Sequence, residues 1–310
     1  MMLATSAGAA AQEQAAGAQA GQSPTDKQQE GRDRPKAPAP PLFPKHRRGL
    51  YRNAGGLEVI DATPQSPPLD TDDPGVPDKG EYEINFTTRA DYAKAANRVD
   101  VLLVDANYGI LPGIAGHKLP TQVKFEFPVT AARTSDEPFT VGPGPDTFGL
   151  KFNVYHDEHR GISVSVYPQV EFGAPGGRSV QRRLGENGQT LILPLLIARE
   201  FRYFTLTFNG ALAKPIHDRE RSIVSESGAG IGRAFTRKVA AMIELRSESS
   251  LDFKSDRLLF LNAGLIHGVR NVIVYANLGH SLFSDDGFGH TYAGGGMKVL
   301  IDPKRKTALR

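Results

Sequence analysis

Three short polar clusters and one glycine run carry the residue types that could do chemistry. "HDEH", His156–His159, offers two imidazoles and two carboxylates, the donors of a transition-metal site. Adjacent residues on a tight turn point in different directions, so this spacing predicts a solvated hairpin turn instead. "TDD", Thr71–Asp73, and "SDDG", Ser284–Gly287, could give oxygens to calcium, but neither has the ligand spacing of a calcium loop. "GAGIG", Gly228–Gly232, has glycines spaced as in a phosphate loop, yet it lies inside an alternating run with no helix signal after it. A Gly-x-Ser-x-Gly elbow is absent. The chain also has no cysteine, which removes thiolate nucleophiles, thiolate metal sites and disulfides. The expectation is a protein that is not an enzyme and carries no metal or cofactor.

The remaining ionisable and amide side chains recur inside alternating runs. In "FTLTFNGAL", Phe204–Leu212, every even position is apolar or glycine, with Thr205, Thr207, Asn209 and Ala211 between. Period two is the signature of a β-strand with one apolar and one polar face. "GISVSVYPQVEF" sets Ile162, Val164, Val166, Val170 and Phe172 against Ser163, Ser165, Tyr167, Gln169 and Glu171. "VKFEF" opposes Val123, Phe125 and Phe127 to Lys124 and Glu126, and "KVAAMIELRSE" opposes Ile243 and Leu245 to Glu244 and Arg246. Charges in mid-strand would each cost several kcal/mol in a dry sandwich core unless paired; a hydrated lumen removes most of that cost. The candidate lumen-facing residues are Glu83, Asn85, Lys124, Glu126, Lys151, Asn153, Gln169, Glu171, Glu244 and Arg246. They carry both signs, which argues against strong anion or cation selectivity.

From Gly80 onward about twelve such runs of roughly ten residues follow one another, the length of a tilted strand crossing a bilayer. Short junctions ("PGIAGHK", "DEHR", "FR", "FTR", "GVR") alternate with mostly longer ones rich in charge, Gly or Pro. That pattern predicts an all-β, up-and-down antiparallel transmembrane β-barrel with short periplasmic turns and long extracellular loops. Twelve strands make a lumen wider than a side-chain-filled eight-stranded barrel and narrower than an open porin, hence a narrow or partly occluded conduit. Two runs resist assignment: "TLILPLLIARE" is apolar on both faces, and "TYAGGGMKVLI" alternates poorly. The longest apolar run, "LILPLLIA", is too short for a transmembrane helix.

Around this barrel, residues 79–302, the composition changes. Residues 1–78 are rich in Ala, Gln, Gly and Pro and read as a disordered arm. Its opening, "MMLATSAGAAAQEQ", reads either as the end of a truncated signal peptide, with Ala9, Ala10 and Ala11 before the cleavage point, or as an Ala-rich tail. Residues 303–310 form a basic C-terminal tail. The net charge of +3 does not call for nucleic acid.

"TDDPGVPDKGEYEINF", Thr71–Phe86, resembles the opening of a bacterial outer-membrane barrel family labelled as phenol-degradation meta-pathway transporters. "LPLLIAREF", Leu193–Phe201, and "GRAFTRKVAAMIELRSES", Gly232–Ser249, look like its later strands and turns. The resemblance covers about Asp70 to Ile301. It implies an outer-membrane location in a Gram-negative-type envelope and transport of small hydrophobic or aromatic solutes, with no catalytic residue to carry over. "VLIDPKRKTALR" departs from common barrel practice in lacking a terminal aromatic residue.

The expected function is thus a passive, porin-like channel, its selectivity set by lumen charges and by the loops Arg133–Pro145 and Gly173–Gly188. Its expected partners are outer-membrane lipid, a small-molecule solute and the barrel-assembly machinery. The alternatives are a structural or adhesive outer-membrane protein whose loops bind a partner, and a soluble secreted β-domain.

Overall fold

The computed structural model describes residues 45–46, 50–52, 58–92, 96–114, 117–134, 139–173, 184, 188–216, 222–253, 255, 257–285 and 289–303. The barrel strands are β1 (Tyr82–Tyr92), β2 (Ala96–Ile110), β3 (Thr121–Thr134), β4 (Asp146–Asp157), β5 (Ile162–Val166, resuming at Gln169–Phe172), β6 (Gln189–Glu200), β7 (Thr205–Ile216), β8 (Val224–Ala234), β9 (Val239–Ser250), β10 (Leu258–Val269), β11 (Val272–Ser284) and β12 (Thr291–Ile301). Each strand pairs antiparallel with the next, and β12 pairs back onto β1 from Thr291↔Tyr92 to Ile301↔Tyr82. The sheet closes on itself, which removes the unpaired edges that a membrane cannot tolerate. All twelve sequence runs coincide with strands. Among the described residues, no helix is long and apolar enough to cross a membrane.

The outer surface is what the alternation demands. Leu193 is 54% exposed, and Phe208, Ile243, Leu265 and Leu278 likewise stand clear on the outside. Aromatic side chains mark both rims: Tyr82, stacked on Tyr108, with Tyr203 and Phe235 at one end, and Tyr92, Phe139 and Phe253 at the other. An apolar band between aromatic girdles is the surface of an outer-membrane β-barrel, and it places this chain in the outer membrane.

Register irregularities serve the lumen. A bulge between Asp100 and Leu102 turns both Val101 and Leu102 outward, so that Asp100 and Asp105 both reach the inside. The break in β5 falls at Tyr167–Pro168, where proline has no N–H to give. The ladder stays closed because the Tyr167 amide donates to the Pro194 carbonyl (3.0 Å) and the Leu150 amide to the Pro168 carbonyl (3.0 Å).

The two unassigned runs resolve here. In β6, Leu191, Leu193 and Leu195 face outward while Leu196 is fully buried and Ile192 and Pro194 line a lumen cavity. In β12, Tyr292, Lys298 and Leu300 are buried inward, and Met297 and Ile301 point out. Lipid is not the only apolar phase in this barrel, which is why periodicity alone could not assign β6.

Three expectations need correction. The junction between β1 and β2 is only residues 93–95, while residues 111–120 at the opposite end are longer and carry a small hairpin, Gly113–Ile114 with His117–Lys118. The strict alternation of loop lengths fails there. Second, Arg133–Pro145 is not one open loop, because β3 runs to Thr134 and Thr140–Pro143 pairs with its end; its residues 135–138, and residues 174–183 and 185–187 of the loop Gly173–Gly188, lie outside the described residues. Third, the arm read over residues 1–78 does not extend to Asp78. Lys45–His46, Leu50–Arg52 and Glu58–Ile60 form a small antiparallel sheet, and Ile60–Asp78 packs inside the barrel. Composition weighed that stretch against burying itself, whereas it is buried by a wall built elsewhere in the chain. The opening residues and the tail from 304 to 310 lie outside the described residues.

Two outcomes follow. The folded protein resists detergent unfolding until boiled, so boiled and unboiled samples migrate differently on electrophoresis. Leu193→Arg, which places a cation in the apolar band, lowers the stability of folding into lipid vesicles by about 2–4 kcal/mol, read by denaturant titration.

Candidate functional site in the barrel lumen

The lumen is organised by Ile60–Asp78, which enters and leaves at the same rim. At the entry, the Ile60 amide donates to the Arg237 carbonyl in the β8–β9 turn (3.1 Å). Near the exit, the Gly80 amide donates to the Gly109 carbonyl at the end of β2 (2.8 Å). Between them the chain rises along β7–β11, turns at Asp70, and returns along β4 and β5.

The rising limb lies on a wall cleared of side chains. A Cβ on Gly232 would meet the Ala62 carbonyl, one on Gly230 the ring of Pro64, and one on Gly228 the Thr71 hydroxyl. The "GAGIG" run is therefore a track for this plug and not a phosphate loop. Ile60, Ala62 and Leu69 join Ala240, Met242, Ile266, Ile273, Tyr275 and Leu300 in the main buried apolar cluster.

The segment has no ladder of its own, so its buried backbone must be satisfied by side chains. Thr207 donates to the Pro64 carbonyl (3.3 Å), Asn277 to that of Pro68, Asn209 to that of Asp72 (2.9 Å) and Lys151 to that of Asp73 (2.9 Å). The Pro74 carbonyl accepts from both Asn153 (3.0 Å) and Ser165 (2.6 Å). The Thr71 amide donates to Glu244 Oε2 (2.5 Å), whose other oxygen accepts from Asn262 (2.6 Å).

Charge pairs fix the turn. Asp70 accepts from Arg89 (2.5 Å), Arg246 (3.4 Å) and Asn262 (3.3 Å). Burial pushes its carboxyl up, but the two guanidiniums outweigh this and hold it below its ordinary value of 3.8. Arg89 also lies over the ring of Tyr292, 3.7 Å from the centroid. On the descending limb, Lys151, itself only 2% exposed, pairs with Asp72 (2.9 Å) and lies 4.8 Å from the Tyr167 ring centre.

The structure places each lumen candidate as follows. Lys151, Asn153, Glu244 and Arg246 hold the plug directly. Lys124 pairs with Glu126 (2.9 Å) and lies 3.9 Å from Asp105, which accepts from Asn85 (3.0 Å). Glu83 pairs with Lys298 (3.5 Å), which also donates to Gln65 (2.7 Å). Gln169 lines a cavity of about 200 Å³ beside Ile192 and Leu196. Glu171 stands across the ladder from Thr147 and Thr190, two residues along from Gln169. Sequence reasoning missed Asp70, Arg89, Asp105, Asn262, Asn277 and Lys298, and weighed Asp72 only as a calcium ligand. Arg89 shares the parity of Glu83 and Asn85 within β1, and that signal could have found it; nothing local marks Asp70 or Asp72 as partners of a wall.

The other clusters hold structure. Asp157 caps its turn by accepting from the His159 (2.9 Å) and Arg160 (3.1 Å) amides, and Asp285 pairs with Arg257 (2.9 Å). Among the described residues, no group of three or more His, Asp or Glu could hold a metal ion.

No family model and no curated protein matches this sequence. Among solved structures, an outer-membrane channel from Pseudomonas putida F1 is similar with a TM-score of 0.61 at 11% identity, over 75% of this chain and all of that one. The KdgM porin (TM-score 0.41, 9% identity, 69% of this chain and 98% of that one) and an anion-selective porin from Comamonas acidovorans (TM-score 0.39, 9% identity, 71% and 98%) are more distant. At 11% identity the likeness to the Pseudomonas putida channel concerns the fold alone.

The Asp70 contacts yield a prediction with a defined sign. Because the carboxyl is held low by its partners, its contribution to plug docking is complete above the ordinary value of 3.8 and is lost only as pH falls below it. The part of the plug's protection from amide exchange that Asp70 supplies is lost as pH falls below that value, so Asp70→Asn changes exchange at neutral pH and no longer does so well beneath it. Asp70→Asn removes the carboxylate that both guanidiniums share, leaving Arg89 on Asp91 and Arg246 on Glu248; it costs about 1–3 kcal/mol of docking and speeds the same exchange at neutral pH.

Proposed function

We propose that this protein is a passive outer-membrane channel for small solutes, of the kind labelled phenol-degradation meta-pathway transporters, with the plug narrowing its conduit. The observation that carries this reading is the lumen itself. It is not filled like a core: cavities of about 300, 200 and 240 Å³ lie between plug and wall, lined by ionic and amide side chains. Spaces of this kind suit water and small molecules. The apolar strip Ile192, Pro194 and Leu196 beside Gln169 and Asn209 supports passage of solutes with a small apolar or aromatic body and a polar handle.

Planar-bilayer recording tests the reading. The intact protein gives small unitary currents, and a chain beginning at Lys79, which lacks the plug, gives larger ones. A barrel that is heat-modifiable yet passes neither ions nor small aromatic alcohols in either form overturns the channel assignment.

A further inference from the structure

We infer that the spaces around the plug select cationic over anionic solutes, and that the largest of them receives an ammonium-type group. This rests on the channel reading for passage, but not for the charge preference itself.

The whole chain carries a net charge of +3, yet its lumen has the opposite sign. The stretch Ile60–Asp78 contains Asp61, Asp70, Asp72, Asp73 and Asp78 and no lysine or arginine. Docked inside, it tips a wall of mixed charge. The cavity of about 300 Å³ is bordered by eight carboxylates against three lysines, Lys124, Lys151 and Lys298. The cavity of about 200 Å³ has three carboxylates against Lys124 and Arg246. That of about 240 Å³ has four carboxylates and no lysine or arginine. The three lysines are taken up within the lining, Lys151 by Asp72, Lys298 by Glu83 and Lys124 by Glu126 and Asp105, while Asp78 and Glu158 border two of the cavities as exposed carboxylates. Two signs on the wall had argued against selectivity; the plug changes that balance.

A separate observation points to what the largest space accepts. Asn85 borders it and is 1% exposed. Its Nδ2 donates to Asp105 Oδ2 (3.0 Å), which fixes the amide so that Oδ1 is the free end, and Oδ1 has no hydrogen-bond partner in the protein. An unmatched buried acceptor among excess carboxylates suits a donor that is also positive. A carboxylate of the same size would meet an acceptor and a negative field, and low-dielectric walls strengthen both effects.

Two measurements test this on the full chain. In planar bilayers under a KCl gradient, the reversal potential shows K⁺ passing several-fold more readily than Cl⁻. In equilibrium dialysis of the folded, detergent-solubilised barrel at low ionic strength, benzylammonium is enriched over benzoate, against the sign of the net charge. The double variant Asp78→Asn/Glu158→Gln removes two exposed carboxylates that border two of the cavities, outside any ion pair seen here, and lowers both preferences. Chloride preference, equal enrichment of the two probes, or preferences untouched by the double variant overturn the inference. A barrel that enriches benzylammonium but does not conduct instead overturns the channel assignment and leaves the charge preference standing.

Discussion

The constraint on which the rest of this structure depends is that buried backbone must find hydrogen-bond partners. A closed sheet meets it for the wall, since every strand from β1 to β12 pairs on both sides. The plug has no such ladder. Its carbonyls at Pro64, Pro68, Asp72, Asp73 and Pro74 are met one by one by Thr207, Asn277, Asn209, Lys151, Asn153 and Ser165. These inward side chains read at first as the lining of a water-filled pore; several are the partners of an irregular chain that has no ladder of its own.

That requirement also accounts for the wall's small residues. Gly228, Gly230 and Gly232 alternate on one face of β8 because the rising limb lies against it, and Gly264 and Gly268 on β10 take Pro68 and Ile60 in the same way. Glycine in a strand gives up side-chain packing. Here the loss is offset by the apolar contacts of Ile60, Ala62 and Leu69. Sequence, strand and packing agree: the glycines are spaced for a strand and sized for the chain lying on it.

Charge pairs sit where the plug reverses and where it descends, at Asp70 and at Asp72–Asp73. A buried ion pair contributes little net stability, but losing one partner is costly, so such pairs fix position more than they hold the fold together. The plug is thus tied at a few charged points and leaves space beside it, a geometry compatible with a narrow aqueous path.

The sequence by itself determined the barrel. Period-two patterning, run length and the outward apolar residues are local properties, and outside β6 and β12 the two faces of the strands were legible without knowing their neighbours, as Phe125 against Lys124 or Leu245 against Glu244 shows. Only the tertiary structure decided what stands inside. The stretch Ile60–Asp78 has too little apolar surface to fold on itself, so composition reads it as disorder. It is ordered by partners that lie up to 233 residues away in the chain, and no local pattern records a contact of that kind. The same holds for β6, whose second apolar face made sense only once a lumen with its own apolar strip was in place.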